Sequence, residues 1–348
     1  MPKKILLSQN VDFEKPFLDI EQQLLRLKRR NLIINNDAAT ISVLKQYSYY
    51  QIINGYGEPF EVKENHEKKY VDGTTFKDIY TQFLYDKRIS EILLPVMLDI
   101  ERHFKTYLSY TVAQHFDVNP YLTDDTLNKY PDVVSYLDFS RYPRNTIKRN
   151  ISKIAEIIHT DKNPTAWYRE HSSHIPPWIL FSNATFGEIN RYFQQLPTNL
   201  KLEIADEMLP NNLIELEDKL KLNTLFSMLE ILREFRNCIA HGARFSSFND
   251  KKHNLTKKIR VWFDLEPSEL YRQTEYANNL GKNDFFALLM IIIILCPEVD
   301  YAKAIIKRIE TLLSKIDKRS KSAFLSISNL PDNFLLRLHN LANNIDDK

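Results

Sequence analysis

The stretch "ILREFRNCIAHGARFSS", residues 231–247, ends an apolar run with Arg236, Asn237 and His241. Together these three suit the cleavage of RNA without a metal. A histidine titrating near neutrality takes the 2′-hydroxyl proton or protonates the leaving 5′-oxygen. An arginine offers its planar fork to the charge developing on phosphorus. An asparagine positions either partner by hydrogen bonding. Spacing also sustains a plainer account, in which the end of a helix gathers cationic residues that complement its dipole and a histidine that caps it.

The helix that must carry these groups is legible. Leu222, Leu225, Leu229, Leu232, Phe235 and Ile239 recur every three or four residues and form a core-facing stripe. Arg233, Asn237 and His241 follow one another at i, i+4 and i+8, on a second, polar face. At about 100° per residue, however, Arg236 and His241 point roughly 140° apart on an ideal helix. Either the helix ends between them, which Gly242 as a left-handed residue after the last turn would favour, or two copies of the motif face each other in a dimer.

Elsewhere the periodicity is helical almost throughout. Residues 19–34 place Ile20, Leu24, Leu27 and Leu32 on one stripe, and Asp37 suits the N-cap of a following helix through Ile41, Leu44 and Tyr47. Residues 61–73, "EVKENHEKKYVDG", form a polar stretch and read as an exposed linker or mobile loop. A long helical region follows from Thr75, divided in two by Pro95. The segment 129–175 is basic and irregular, with helical pieces around 146–159, while "IRVWFDLE" (259–266) alternates as a short strand would. Residues 285–296, "FFALLMIIIILC", are too short to span a bilayer and read as a helix buried on all sides.

Composition removes several classes of function. The chain has 348 residues, 43% of them apolar and 12% aromatic, enough for a large core. Its six glycines form neither a dinucleotide nor a P-loop fingerprint. Cys238 and Cys296 lack metal-site spacing and point to a reducing compartment. The opening residues lack the apolar core of a signal peptide, so a soluble, cytoplasmic protein with no membrane partner is expected. No cofactor is expected, and His171 and His174 lack a third metal ligand nearby in sequence.

The net charge of +2 is uninformative, but its distribution is not. Residues 140–153 carry five basic groups and no acid, residues 251–260 carry five more, and acids gather at 203–218. Solvated helix faces produce such clusters, and so does a polyanion footprint. Taken as a footprint, Arg141, Arg144, Lys148, Arg149, Lys257, Lys258 and Arg260 would hold RNA phosphates, with Tyr142 or Trp262 stacking unpaired bases. Glu101 and Lys105, four apart in "DIERHFK", read as an exposed helical ion pair.

"RNCIAH" followed by "GARF" resembles the RN-x-x-A-H-x-x-R signature of the Abi-like abortive infection family, AbiD/AbiF type. Further elements follow in the family's order: "KPFLDIEQQLLRLKRRNLII" with Asn31 for the usual glycine, the tyrosine-rich "LKQYSYYQIINGY", the helix pair ending in "IERHF", and "PPWILFSNATFGEINRYF". Departures are Asn183, where a glutamate is common, and Tyr85-Asp86-Lys87 for the typical Phe-Asp-Arg. The likeness covers roughly residues 15–248.

The resemblance implies an all-α fold: a HEPN-like helical bundle over 73–348, with a basic insertion around 129–175, an N-terminal helical extension over 1–72, and at most one short β element. It implies a metal-independent endoribonuclease toxin of phage defence or of an RNA-antitoxin system, composite across a homodimer. By position, Arg236, Asn237 and His241 would be catalytic, with Glu101, Arg102 and Arg233 in support, and Glu101 and Arg102 would buttress or orient the active arginine. RNA would be the substrate, and a small RNA would be a candidate antitoxin. The alternative is a non-catalytic HEPN-fold module that binds RNA and scaffolds a small RNA or protein partner.

Overall fold

Asp19 starts the first helix, α1 (Ile20–Arg29), through a capping box: its carboxylate accepts the Gln22 N–H at 2.8 Å and Gln22 Oε1 accepts the Asp19 N–H at 3.0 Å. The helix closes on Asn31, whose φ is +68°. The Leu32 N–H reaches back to the Leu27 carbonyl and the Asn31 N–H to that of Lys28, a Schellman ending. Asparagine tolerates this left-handed conformation better than most side chains, which accounts for its standing in for a glycine. The computed structural model describes residues 17–64, 67–118, 135–138, 140 and 142–345. It divides the chain into two units, Met1–Tyr85 and Asp86–Lys348.

In the first unit, α2 (Asp37–Tyr47) is capped by Asn36, whose side chain accepts the Ala39 N–H, and not by Asp37. Asp37 instead pairs with Lys28 at 2.6 Å. The polar stretch read as a linker contains an antiparallel hairpin, β1 (Glu61–Glu64) and β2 (Glu67–Tyr70), with Glu61 opposite Tyr70. Its anchors are the buried Phe60 and Tyr70 at the ends of the pair. Close approach fixes Gly57, because a Cβ there would lie 2.6 Å from the Ile53 carbonyl oxygen.

Helix α3 (Phe76–Phe116) runs unbroken through Pro95, against the expected division into two helices. Pro95 sits on the exposed side, where water can meet the carbonyl left without its N–H partner. On the other side Ile89, Leu93, Val96, Met97, Ile100, Phe104, Leu108 and Val112 are all buried, so packing holds the helix across the proline.

Among the described residues the second unit is all-α and is built round α9 (Phe285–Leu295), every residue of which is buried, as its uniform hydrophobicity predicts. Before it come α4 (Lys148–Glu156), α5 (Thr165–His171), α6 (Phe186–Gln195), α7 (Thr198–Met208) and α8 (Asp218–Ala240). After it come α10 (Val299–Leu313), α11 (Lys318–Ser328) and α12 (Phe334–Asn343). Helix α8 packs on α6, α7 and α9, and α9 on α10 and α12. From the expected stripe of α8, Leu225, Leu229, Leu232 and Phe235 are buried, while Leu222 and Ile239 at its ends are half-buried. The expected strand at 259–266 is instead a helical turn, Ile259–Trp262. Ile259 and Phe263, four apart, face the core, a spacing that suits a helix better than a strand. Among the described residues no helix is long and apolar enough to cross a membrane.

Candidate functional site

The end of α8 is a second Schellman motif. Gly242 takes φ +65°, its N–H bonds to the Ile239 carbonyl at 2.9 Å, and the Ala243 N–H bonds to that of Cys238 at 3.1 Å. His241 is the cap, and its own N–H still bonds to the Asn237 carbonyl at 3.0 Å. The turn therefore comes after His241, so a helix break between Arg236 and His241 is ruled out. Within one chain the two keep close to their helical phase and diverge.

Arg236 is held from α3. Its Nε lies 3.5 Å from Glu101 Oε2, and its Nη1 donates to Asn237 Oδ1 at 3.2 Å. The Glu101 side chain is 7% exposed and that of Arg236 31%, so the carboxylate is an interior anchor and part of the guanidinium faces water. Glu101 Oε1 takes Lys105 Nζ at 2.9 Å, and the same ammonium donates to the Ala184 carbonyl at 2.7 Å, just before the capping residue of α6. Glu101 is thus buried and Lys105 half-buried, so this is not the exposed pair its spacing first suggested. Oε2 makes no hydrogen bond among the described residues, which leaves the long ion pair with Arg236 as its compensation.

Arg233 lies one turn back and is neutralised locally, at 2.8 Å from Glu230 and 2.6 Å from Glu234. Glu230 is buried and also accepts from Asn190 Nδ2 of α6 at 2.9 Å. Gly187 permits this packing, because a Cβ there would already touch the Arg233 Cδ at 3.4 Å. Arg102, by contrast, is exposed and pairs with Asp99 on its own helix. The structure thus brings together Arg236, Asn237 and Glu101 and gives Arg102 and Arg233 other partners.

Two residues visible in the sequence were not assigned to the site. Lys105 is one; its place on the buried Glu101 was hidden because i, i+4 spacing does not say which face is covered. Arg244, the last residue of the RN-x-x-A-H-x-x-R pattern, is half-buried and donates from Nε to Ser247 Oγ at 2.5 Å. Nearby, buried Asp86 accepts the Ser246 N–H at 3.3 Å. Burial, then the charge of Asp86, pushes the Cys238 thiol up to about 11, which disfavours the thiolate that nucleophilic attack requires.

Of the residues expected to hold phosphates, Arg144, Lys148, Arg149, Lys257 and Lys258 are exposed, and Arg141 lies outside the described residues. Arg260 is half-buried and donates to the Leu265 carbonyl at 2.7 Å. Tyr142 cannot stack a base. It is buried among aromatic rings, its hydroxyl meets Tyr192 and the Tyr136 carbonyl, and desolvation raises its pKa. Trp262 is half-buried. Among the described residues no group of three His, Cys, Asp or Glu side chains is placed to hold a metal ion. His171 Nδ1 sits 3.0 Å from the Trp167 carbonyl, and His174 Nδ1 lies beside Ser173.

The family model described as Abi-like protein matches residues 42–247, which takes in the hairpin, α3 to α8 and the Arg236–His241 segment. No curated protein and no solved structure matches the chain.

Proposed function

Since this chain belongs to the Abi-like protein family, we propose that it is an abortive-infection toxin of the AbiD/AbiF type, a HEPN-superfamily endoribonuclease that needs no metal. One observation carries the reading: Arg236 is tethered from inside by Glu101 while part of its guanidinium faces solvent, and an exposed His241 caps the same helix. A buried anchor fixes the arginine where it can meet a phosphate. The histidine is exposed at the end of the helix, within reach of a substrate.

The divergence of Arg236 and His241 makes the centre composite. Two α8 ends facing each other across a homodimer would pair the arginine of one copy with the histidine of the other. His241 would take the 2′-hydroxyl proton as that oxygen attacks phosphorus, and the imidazolium would pass it to the 5′-oxygen as the P–O5′ bond breaks, while Arg236 would neutralise the phosphorane and Asn237 would hold the arginine side-on. The products would be a 2′,3′-cyclic phosphate and a 5′-hydroxyl.

The test is incubation of the purified chain with total cellular RNA in EDTA. Cleavage that disappears in His241→Ala while RNA binding persists supports the reading. Tight binding without cleavage, with growth arrest indifferent to Arg236→Ala and His241→Ala, rejects it. That result would favour a non-catalytic module scaffolding a small RNA or a protein.

A further inference from the structure

Burial of Tyr142 removes the base-stacking side chain the sequence had pointed to in the basic segment, but a cleft nearby has the chemistry for that task. It lies between α4 and α5, beside the turn Ile157–His159, and holds about 580 Å³. Leu137, Ile151, Ala155 and Ile158 give it apolar walls, and Arg169 and His159 also line it.

Arg169 is unusual for an arginine of such a segment. Its Nη1 donates to two backbone carbonyls, of Ile158 at 2.9 Å and Thr160 at 2.7 Å, and the carboxylates of Asp161 and Glu170 stand off at 3.8 Å. The guanidinium plane is therefore fixed by the main chain and not by a strong ion pair. A guanidinium fixed in the wall of an apolar cleft is a planar group on which an unpaired base can stack.

Cations stand at one end of the cleft. On α4, Lys148, Ser152 and Ala155 follow at i, i+4 and i+7, so the exposed Lys148 shares the side that lines the cleft. Arg149 is the next residue and is also exposed. Glu156 is the one acid among the lining residues. A volume of this order falls within the range of small-ligand sites and accommodates a nucleotide. An apolar peptide or a second copy would have no use for the fixed guanidinium or for the cations beside it.

We infer that this cleft takes one unstacked base of single-stranded RNA, stacked on Arg169, with the adjoining phosphates held by Lys148 and Arg149. The choice of RNA rests on the ribonuclease reading above; the site itself is separate from Arg236 and His241.

The experiment measures fluorescence anisotropy of a labelled 2′-O-methyl oligonucleotide, which cannot be cleaved, titrated with the full chain. Ala155→Phe fills the cleft and should weaken single-strand binding about tenfold, while a duplex of equal length binds as before. Lys148→Gln with Arg149→Gln should flatten the dependence of log affinity on log salt by about 1.4. Circular dichroism checks folding, and if Ala155→Phe does not fold, the salt slope of the double variant decides alone. Unchanged single-strand affinity, equal loss for the duplex, or an unchanged salt slope overturns the inference. So does an effect of Ala155→Phe on sedimentation or on binding to anionic vesicles in place of RNA. A chain that cleaves RNA through His241 yet ignores Ala155→Phe loses this inference and keeps the ribonuclease reading. A chain that binds no single strand loses the inference, and the cleavage assay then judges the other reading separately.

Discussion

Glu101 and Arg236, brought from the middle of α3 and the last turns of α8, face each other with 3.5 Å between Oε2 and Nε. Lys105 occupies the other oxygen of the same carboxylate at 2.9 Å. One interior negative charge therefore serves two cations. The Arg236 contact is the longer and looser of the two, so the guanidinium is restrained without being used up.

Glu101→Gln keeps the shape and removes the charge that restrains Arg236. RNA cleavage should fall about tenfold or more in kcat, with little change in KM, because positioning and not binding is lost. Glu101→Ala goes further and leaves the half-buried Lys105 ammonium without its carboxylate, at a cost somewhat below the roughly 3–5 kcal/mol of a fully buried pair. Urea unfolding measures this, and Lys105→Met in the Glu101→Ala background should recover part of the loss. If Glu101→Gln cleaves like the wild type, the carboxylate merely packs.

A composite centre makes a sharper forecast. Arg236→Ala and His241→Ala chains should each be inactive, yet a mixture that exchanges subunits should recover about a quarter of wild-type activity. Half of the dimers then carry both variants, and each of these has one intact pair of the two. The measurement is cleavage after mixing under conditions that permit exchange. No recovery, with exchange verified by mass spectrometry, means that Arg236 and His241 of one copy act together or not at all.

Much of this arrangement could be read in the sequence, and the rest fails for physical reasons. The end of α8 was legible because glycine after a polar cap has few alternatives to the left-handed turn that Gly242 makes. The burial of α9 was legible because a helix apolar all round has no face to show to water. Local periodicity could not say that Glu101 is covered, since the cover comes from α8 and the Ala184 segment, remote in the chain. The hairpin at Glu61–Tyr70 escaped because most of its residues are polar and its fixed points, Phe60 and Tyr70, lie at its ends. The short "IRVW" run was misread because an apolar spacing that brief fits a strand or a single helical turn.

Gly242→Ala tests whether the Schellman ending sets the position of His241. A β-carbon at φ +65° costs about 1–2 kcal/mol, a few degrees of melting temperature for a chain of this size. The variant should also lose cleavage out of proportion to stability, because the cap histidine rides on the turn. Equal activity at a temperature where both chains are folded would detach the turn from function.

The last prediction concerns pH and Asp284, the N-cap of the buried helix α9. Its Oδ1 accepts the N–H groups of Gly281 at 3.0 Å and Ala287 at 2.9 Å, while Oδ2 finds no partner among the described residues. Burial outweighs those N–H groups and pushes the carboxyl from its ordinary 3.8 up to about 7. The folded chain therefore holds this proton more tightly than the unfolded chain does. Its contribution to stability is full below about pH 4, declines as pH rises towards 7, and is level above that. At 1.36 kcal/mol per pH unit the whole effect is at most about 4 kcal/mol. Asp284→Asn retains the oxygen that caps Gly281 and Ala287 and has no proton to lose. It should be more stable than the wild type at pH 8, and the difference should shrink as pH falls to 4. Urea midpoints of the two chains at pH 4, 6 and 8 measure this, and parallel curves would mean that the capping N–H groups already compensate the buried charge.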